Sequence, residues 1–150
     1  MPRTRHFGRL TGLMLLSGAV LAGTAATAAP KRAKGPDWAV ARTAFASAPP
    51  LDLDEGVFFA CSATWGLWNE AVEGGKVKVP AGALPPQLLE PKAGETAADW
   101  GLYMIDSDEA FALHQATEKR LAPELKRVLA GDTTAVRTWF ARLGTCKVPG

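Results

Sequence analysis

Apolar side chains recur at helical spacing along most of the chain, most clearly in the segment that ends at Gly74 and Gly75. Its apolar positions fall within one arc about 100° wide on a helical wheel. These positions are Val57, Cys61, Thr64, Trp65, Trp68 and Val72. The pattern predicts an amphipathic helix that is capped by Asp52 or Asp54 and ends before Gly74. Phe59 falls on the polar side, where it would contact either the first helix or a binding partner.

Two further helices are predicted on either side of this one. The first begins at Pro36, which suits the first position of a helix, and ends near Ser47, before the pair Pro49-Pro50. The third runs from residue 95 or 96 to about residue 105. Because the third is apolar on nearly all sides, we expect it to be the central helix of the domain.

The last part of the chain predicts a fourth helix over residues 107–130 and a fifth after Asp132. The fifth spans about 11 residues, and Gly144 is expected to close it directly before Cys146. The fourth helix has one broad face that should point into the core. That face contains Phe111, His114, Glu118, Leu121, Ala122, Leu125, Val128 and Leu129.

Residues 76–95 are the least regular part of the sequence, because prolines interrupt them repeatedly. A very short strand at 76–79 and a turn of helix at 87–90 are the only elements predicted there. A loop of this kind is a candidate lid or docking segment. The whole pattern predicts an all-α fold: four to five helices in a small orthogonal or bundle-like domain, with an irregular proline-rich loop.

Residues 1–28 have the order of a secretory signal peptide: arginines at positions 3, 5 and 9, an apolar run over 10–22, then small residues. The run is shorter than the roughly 20 residues that span a bilayer, so we expect cleavage after Ala28 and no stable membrane insertion afterwards. Residues 29–35 would then be a flexible lead, and residues 36–150 one helical domain. The predicted location is periplasmic or secreted.

Removing the signal peptide changes the charge balance. Lysine plus arginine falls from 17 to 14 while aspartate plus glutamate stays at 15, so the mature chain, residues 29–150, carries a net charge of about −1. Only Lys31, Arg32 and Lys34 form a locally basic stretch. A nucleic-acid-binding domain would need a basic face, so nucleic acid is not an expected partner.

Cys61 and Cys146 are the only cysteines. In an exported protein they are expected to form a disulfide, because oxidising compartments preserve such bonds. The alternative is two free thiols, one of them nucleophilic, which would need a nearby base or a helix N-terminus.

Few residues of the mature chain could support catalysis. His114 is its single histidine, so a multi-histidine metal site within one chain is not expected, and no cofactor motif is present. The acidic run from Asp106 to Glu109 lacks the glycine and distal glutamate of a calcium loop and is typical of a helix N-terminus. A small hydrolase that uses Asp106, Asp108 or Glu118 is the enzymatic alternative.

His114 and Glu118 form the most informative polar pair, because they are four residues apart within the apolar face of the fourth helix. A neighbouring carboxylate favours a protonated imidazole and burial opposes it, so the pair could respond to pH or act as an acid and base in a cleft. A satisfied hydrogen bond at the edge of the helix is the structural alternative.

The five tryptophans all fall on helical stripes and are expected in the core, with a hydrophobic ligand pocket between helices as the alternative.

Taken together, the sequence features predict an exported, non-catalytic helical protein that binds a protein partner or an apolar ligand. Two alternatives are the carboxylate hydrolase and a pH-responsive periplasmic chaperone.

Overall fold

The computed structural model describes residues 35–52, 55–102 and 107–147, which form five α-helices and one short 3₁₀ helix. The predicted signal peptide and most of the lead lie outside these residues. The elements are α1 (Trp38–Ala46), α2 (Glu55–Glu73), the 3₁₀ helix (Pro86–Leu88), α3 (Lys92–Leu102), α4 (Asp108–Leu129) and α5 (Thr133–Thr145). The predicted all-α class is confirmed, whereas the strand predicted at 76–79 is wrong, because that stretch holds only turns and irregular backbone.

Side-chain caps fix where three of the helices begin. Asp37 accepts hydrogen bonds from the Ala39 and Val40 amides at the start of α1, at 3.1 and 3.2 Å. Ser107 caps α4 through the Ala110 amide. Asp132 caps α5 through the Ala135 amide at 2.9 Å, as the sequence predicted. Each oxygen satisfies an amide that has no partner within its own helix.

α2 is the central helix of the fold, because it packs against α3, α4 and α5, while α1 packs on α5 and α4 also packs on α5. The prediction that α3 would be central is wrong. α3 buries only Ala93 and Trp100, and it lies against α2 and the 3₁₀ helix. Tertiary packing, rather than the apolar content of the segment, decides which helix is enclosed.

The tryptophans form the core, as predicted. Four of them are almost completely buried, and Trp38 is half-buried at the edge, where it meets Phe140 edge-to-face with 6.5 Å between ring centroids. The four buried ones are Trp65, Trp68, Trp100 and Trp139. Two open clefts, of about 340 and 280 Å³, are lined by none of these four residues.

The proline-rich segment between α2 and α3 is held on the core at two points. Leu84 and Leu88 are buried, and the Trp68 indole donates a hydrogen bond to the Leu88 carbonyl oxygen at 2.9 Å. These contacts argue against a lid that opens as a unit.

Within the described residues, no helix is long and apolar enough to cross a bilayer.

The carboxylate that caps α5 should make the stability of the protein depend on pH. The Ala135 amide, and next the Arg127 guanidinium, hold the pKa of Asp132 below its ordinary value of 3.8. A lowered pKa in the folded state adds stability that is present above the pKa of the unfolded chain and is lost as the pH falls through the folded value. We therefore expect wild type to be more stable than Asp132→Asn at pH 6, and the difference to shrink as the pH falls below about 4 and to disappear only below the lowered folded pKa. Urea unfolding of both proteins across this range measures it, and a difference that does not change with pH would contradict the prediction.

Candidate binding surface

The predicted disulfide is confirmed, and it joins the end of α5 to α2. The Cα atoms of Cys61 and Cys146 are 5.2 Å apart, and both residues are buried. The carbonyl oxygen of Cys146 also accepts two hydrogen bonds, from the Trp65 and Trp100 indoles, each at 2.8 Å. One residue thus links α2, α3 and α5. With both sulfurs in the bond, neither cysteine is a free nucleophile.

The contribution of the Trp65 indole hydrogen bond to stability can be measured by comparing Trp65 with Trp139. Both rings are buried, but the Trp139 Nε1 has no hydrogen-bond partner in the described structure. Trp→Phe removes similar apolar area at both sites, but only at Trp65 does it remove a hydrogen bond. We expect Trp65→Phe to lower the free energy of unfolding by about 1 kcal/mol more than Trp139→Phe. Urea unfolding of the two variants checks this, and equal losses would show that the bond to Cys146 contributes nothing.

His114 and Glu118 are brought together as the sequence predicted. The His114 Nε2 lies 3.1 Å from the Glu118 Oε1, and the two side chains are 17% and 32% exposed. The His114 Nδ1 is buried and has no hydrogen-bond partner among the described residues. The pair is therefore a single contact, without the third orienting group that a catalytic base commonly has. Its response to pH stays a prediction.

The carboxylates proposed for hydrolysis do not converge where they can be located. Asp108 and Glu118 are ten residues apart on α4, which places them about 15 Å apart along the helix axis. Glycosidases place their two carboxyl groups roughly 5 to 9.5 Å apart. Asp106 lies outside the described residues. Among those described, no group of three histidine, cysteine or acidic side chains could hold a metal ion.

Large apolar side chains are exposed at the ends of α3 and α4 that adjoin residues 103–106. Leu102 is 66% exposed, Phe111 60% and Leu113 48%. The placement of Phe111 in the core face was wrong. The buried residues of α4 are Leu121, Leu125 and Val128, so the apolar stripe continues toward the N-terminus of α4 beyond the part that the core encloses.

The directions of α2, α3 and α4 show which of their ends lie together at this end of the molecule. The Phe58 and Trp100 rings are 6.0 Å apart and Gly94 lies beside Asn69, so α3 runs antiparallel to α2. α4 runs parallel to α2, because its last residue, Leu129, lines a cleft with residues 76–78, which follow α2. The start of α2, the end of α3 and the start of α4 therefore lie at the same end.

Phe59 belongs to this end as well. A Cβ placed on Gly66 of α2 would lie 3.7 Å from the Glu118 Oε1, so these two positions face each other. Phe59 and Phe111 each lie seven residues, or two turns, before those positions and share their helix faces. Phe111 therefore lies on the α4 face that Glu118 continues, and half-buried Phe59 lies on the α2 face that Gly66 continues. We call Phe59, Leu102 and Phe111, which lie at this end, the apolar end surface. Leu102 is about 200° around α3 from buried Trp100 and lies on the outer side of that helix. Leu113 is about 200° around α4 from Phe111 and lies on the other flank of the helix.

The segments of α2, α3 and α4 that carry the apolar end surface have no lysine or arginine nearby in sequence, although Lys147, which follows disulfide-bonded Cys146, lies at this end with its ammonium at Phe45. No lysine or arginine occurs between Arg42 and Lys76 or between Lys92 and Lys119. Exposed acids stand next to the surface instead: Asp99 one turn before Leu102, and Asp108 one turn before Phe111. The surface is thus both apolar and acidic.

Of the residues of this surface, the sequence singled out only Phe59 as a possible contact. It placed Leu102 in the predicted central helix and Phe111 on the apolar face of the fourth helix.

The chain matches no protein-family model, and no curated protein or solved structure matches it significantly.

Proposed function

We propose that this protein is an exported, non-catalytic helical domain that binds a protein partner through the apolar end surface. The observation that carries the proposal is the exposure of Leu102 and Phe111 at one end of a domain whose other large apolar side chains are mostly enclosed. Exposed apolar side chains grouped at one place mark interaction sites in many proteins. Half-buried Phe59, near the start of α2, lies at the same end of the domain and adds aromatic area there.

A protein partner is favoured over a small apolar ligand by the way the tryptophans pack. Their rings fill the space between the helices and hydrogen-bond to backbone carbonyls at Leu88 and Cys146. The cleft beside α1 is open and is lined partly by Thr43, Ser47 and Arg137. A drug-sized ligand needs an enclosed, mostly apolar pocket. The exposed area therefore suits a macromolecular contact better.

Export is supported by the disulfide and by the order of residues 1–28. A buried disulfide that links distant parts of a small domain is typical of oxidising compartments. The basic, apolar and small-residue order at the N-terminus is typical of a signal peptide. The proposed location is the periplasm or the medium.

Site-specific photo-cross-linking in the source cells tests the proposal. Phe111 is replaced by a photoreactive benzoyl-phenylalanine, and the control carries it at Thr138, an exposed position on α5. We expect one defined covalent adduct with a protein from position 111 and none from position 138. The adduct should also be lost when Leu102→Ser is added, with the circular-dichroism spectrum unchanged. No adduct at position 111, or the same adduct from both positions, would overturn the proposal.

A further inference from the structure

We infer that a cleft at the other end of α2 and α4, away from the apolar end surface, binds a phosphate monoester that carries a ring. The cleft has a volume of about 280 Å³ and lies where three parts of the chain meet. These parts are Gly35, Pro36 and Trp38 at the start of α1, residues 76–78 after α2, and Leu129 at the end of α4. Because α2 has 19 residues, the cleft lies roughly 28 Å from the start of that helix. Binding in the cleft and binding at the apolar end surface are therefore separate properties.

One wall of the cleft is the tryptophan that the core does not enclose. Trp38 is half-buried and contacts Phe140 edge-to-face, whereas the other four tryptophans are buried. Trp38 also lines the cleft, where the exposed part of its indole can contact a ligand. A tryptophan ring packs well against the flat face of another ring, because it offers a large apolar area with a negative face. Trp38 therefore provides the contact for the ring of the ligand.

Two lysines line the same cleft, and none of the described residues around it is acidic. The Lys76 Nζ lies 3.9 Å from the Glu70 Oε2, but both side chains are more than half exposed, and a surface pair of this kind is weak. Lys78 is exposed and has no acidic partner among the described residues. Both ammonium groups can therefore bind an anion.

The other charges at this end also favour an anion in the cleft. Lys126 is exposed and lies one turn before Leu129 on α4, so it adds a third ammonium group beside the cleft. Three acids of this end already contact other groups: Asp37 the first amides of α1, Asp132 the Arg127 guanidinium, and Glu73 the Asn69 side-chain nitrogen. Their charges are thus directed away from the cleft or offset.

The type and number of the cations indicate which anion fits. An ammonium group acts as a point charge, whereas the planar fork of arginine suits a carboxylate bound through two oxygens, and no arginine is among the described lining residues. A phosphate monoester carries close to two negative charges at neutral pH, which two lysines offset. The volume is just below the roughly 300–1,000 Å³ of drug-sized ligand sites. The cleft therefore suits one ring and one phosphate.

Phenyl phosphate tests the inference when it is titrated into the oxidised, ¹⁵N-labelled protein and followed through the indole N–H signals by NMR. The comparison compounds are phenol, which lacks the charge, inorganic phosphate, which lacks the ring, and phenyl sulfate, which carries a single charge. We expect phenyl phosphate to bind at least about fivefold more tightly than each of them. It should shift the Trp38 indole signal, assigned with Trp38→Phe, more than the signals of the other four tryptophans.

The pH dependence of binding tests the double charge of the ligand. A phosphate monoester loses its second negative charge as the pH falls through about 6. Binding of phenyl phosphate should therefore weaken roughly threefold or more between pH 8 and pH 5. Phenyl sulfate keeps one charge throughout, so its affinity should stay constant, and a parallel loss for both compounds would contradict recognition of a dianion.

Variants of the protein separate binding in the cleft from general attraction between opposite charges. Lys76→Gln with Lys78→Gln should weaken binding of phenyl phosphate at least about fivefold. The matched control is Lys119→Gln with Arg120→Gln, which removes two exposed charges from α4 about 15 Å before Leu129 and should leave the affinity unchanged. Trp38→Leu should weaken binding of phenyl phosphate but not of inorganic phosphate. If Trp38→Leu does not fold, as judged by circular dichroism, the two double variants decide.

Equal binding by the two double variants, or an unshifted Trp38 signal, would overturn the inference. Equal affinity for phenyl phosphate and inorganic phosphate would also overturn it, because the ring would then contribute nothing. Glucose 6-phosphate distinguishes the source of the ring: tighter binding than phenyl phosphate identifies a sugar, and weaker binding an aromatic group. Cosedimentation with vesicles that contain phosphatidic acid, without binding of any soluble ester, would overturn the inference in favour of a lipid surface.

Discussion

The double substitution Cys61→Ala/Cys146→Ala is expected to lower the free energy of unfolding by about 4.5 kcal/mol, since the disulfide closes a loop of 85 residues. The bond acts mainly by restricting the unfolded chain, and longer loops are restricted more. The loss is a large fraction of the roughly 10 kcal/mol that typically separates folded from unfolded domains. Urea unfolding, followed by the fluorescence of the buried tryptophans, measures it.

The control for this prediction is wild type treated with a reducing agent. Reduction leaves both sulfur atoms in place but removes the cross-link, so reduced wild type should lose nearly as much stability as the double variant. A loss below about 1 kcal/mol in both proteins would contradict the role given to the disulfide. A loss in the double variant alone would instead identify packing around the sulfur atoms as the cause.

Gly144→Ala is expected to lower the free energy of unfolding by about 3 kcal/mol, because α1 and α5 meet closely at this buried glycine. A Cβ at position 144 would lie 2.6 Å from the Ala48 Cβ and closer still to the Phe45 carbonyl oxygen. That carbonyl cannot move away freely, since it accepts a hydrogen bond from the Lys147 Nζ at 3.2 Å. The helices would have to separate locally to make room for the methyl group.

The matched control is Gly101→Ala, at an exposed glycine of α3. A Cβ at Gly101 would meet nothing within 4 Å, so alanine should be neutral or stabilise the helix by up to about 1 kcal/mol. Thermal or urea unfolding of both variants gives the comparison. Equal effects of the two substitutions would show that α1 and α5 do not meet closely at Gly144.

The sequence predicted the helices well because their apolar spacing is strong and their caps are local. Asp132 could be assigned as a cap from its position before an apolar stripe, and it caps α5. The disulfide followed from there being only two cysteines. Gly144 shows the limit of such local arguments. It was taken as the end of α5, yet the helix continues to Thr145, and the glycine serves a close approach to α1 that no pattern within α5 reveals.

The apolar end surface was only partly foreseen, for the same physical reason. Periodicity identifies the apolar face of a helix but not whether another helix covers it. Phe111 shares the apolar face of α4 with Leu121 and Leu125, but only the second half of that helix is enclosed. Leu102 was placed inside a central helix, whereas α3 lies at the side of α2 and leaves it exposed. Phe59 could be predicted as a possible contact because it lies outside the apolar stripe of its own helix.

Native mass spectrometry of the protein recovered from the source cells tests most directly that it is an exported, disulfide-closed binding domain. We expect a chain that begins at Ala29, is two hydrogens lighter than the reduced form, and carries a second protein that Phe111→Ser releases and Leu113→Ser retains. A chain that keeps residues 1–28 and two free thiols, with no partner released by Phe111→Ser, would contradict both the export and the binding function.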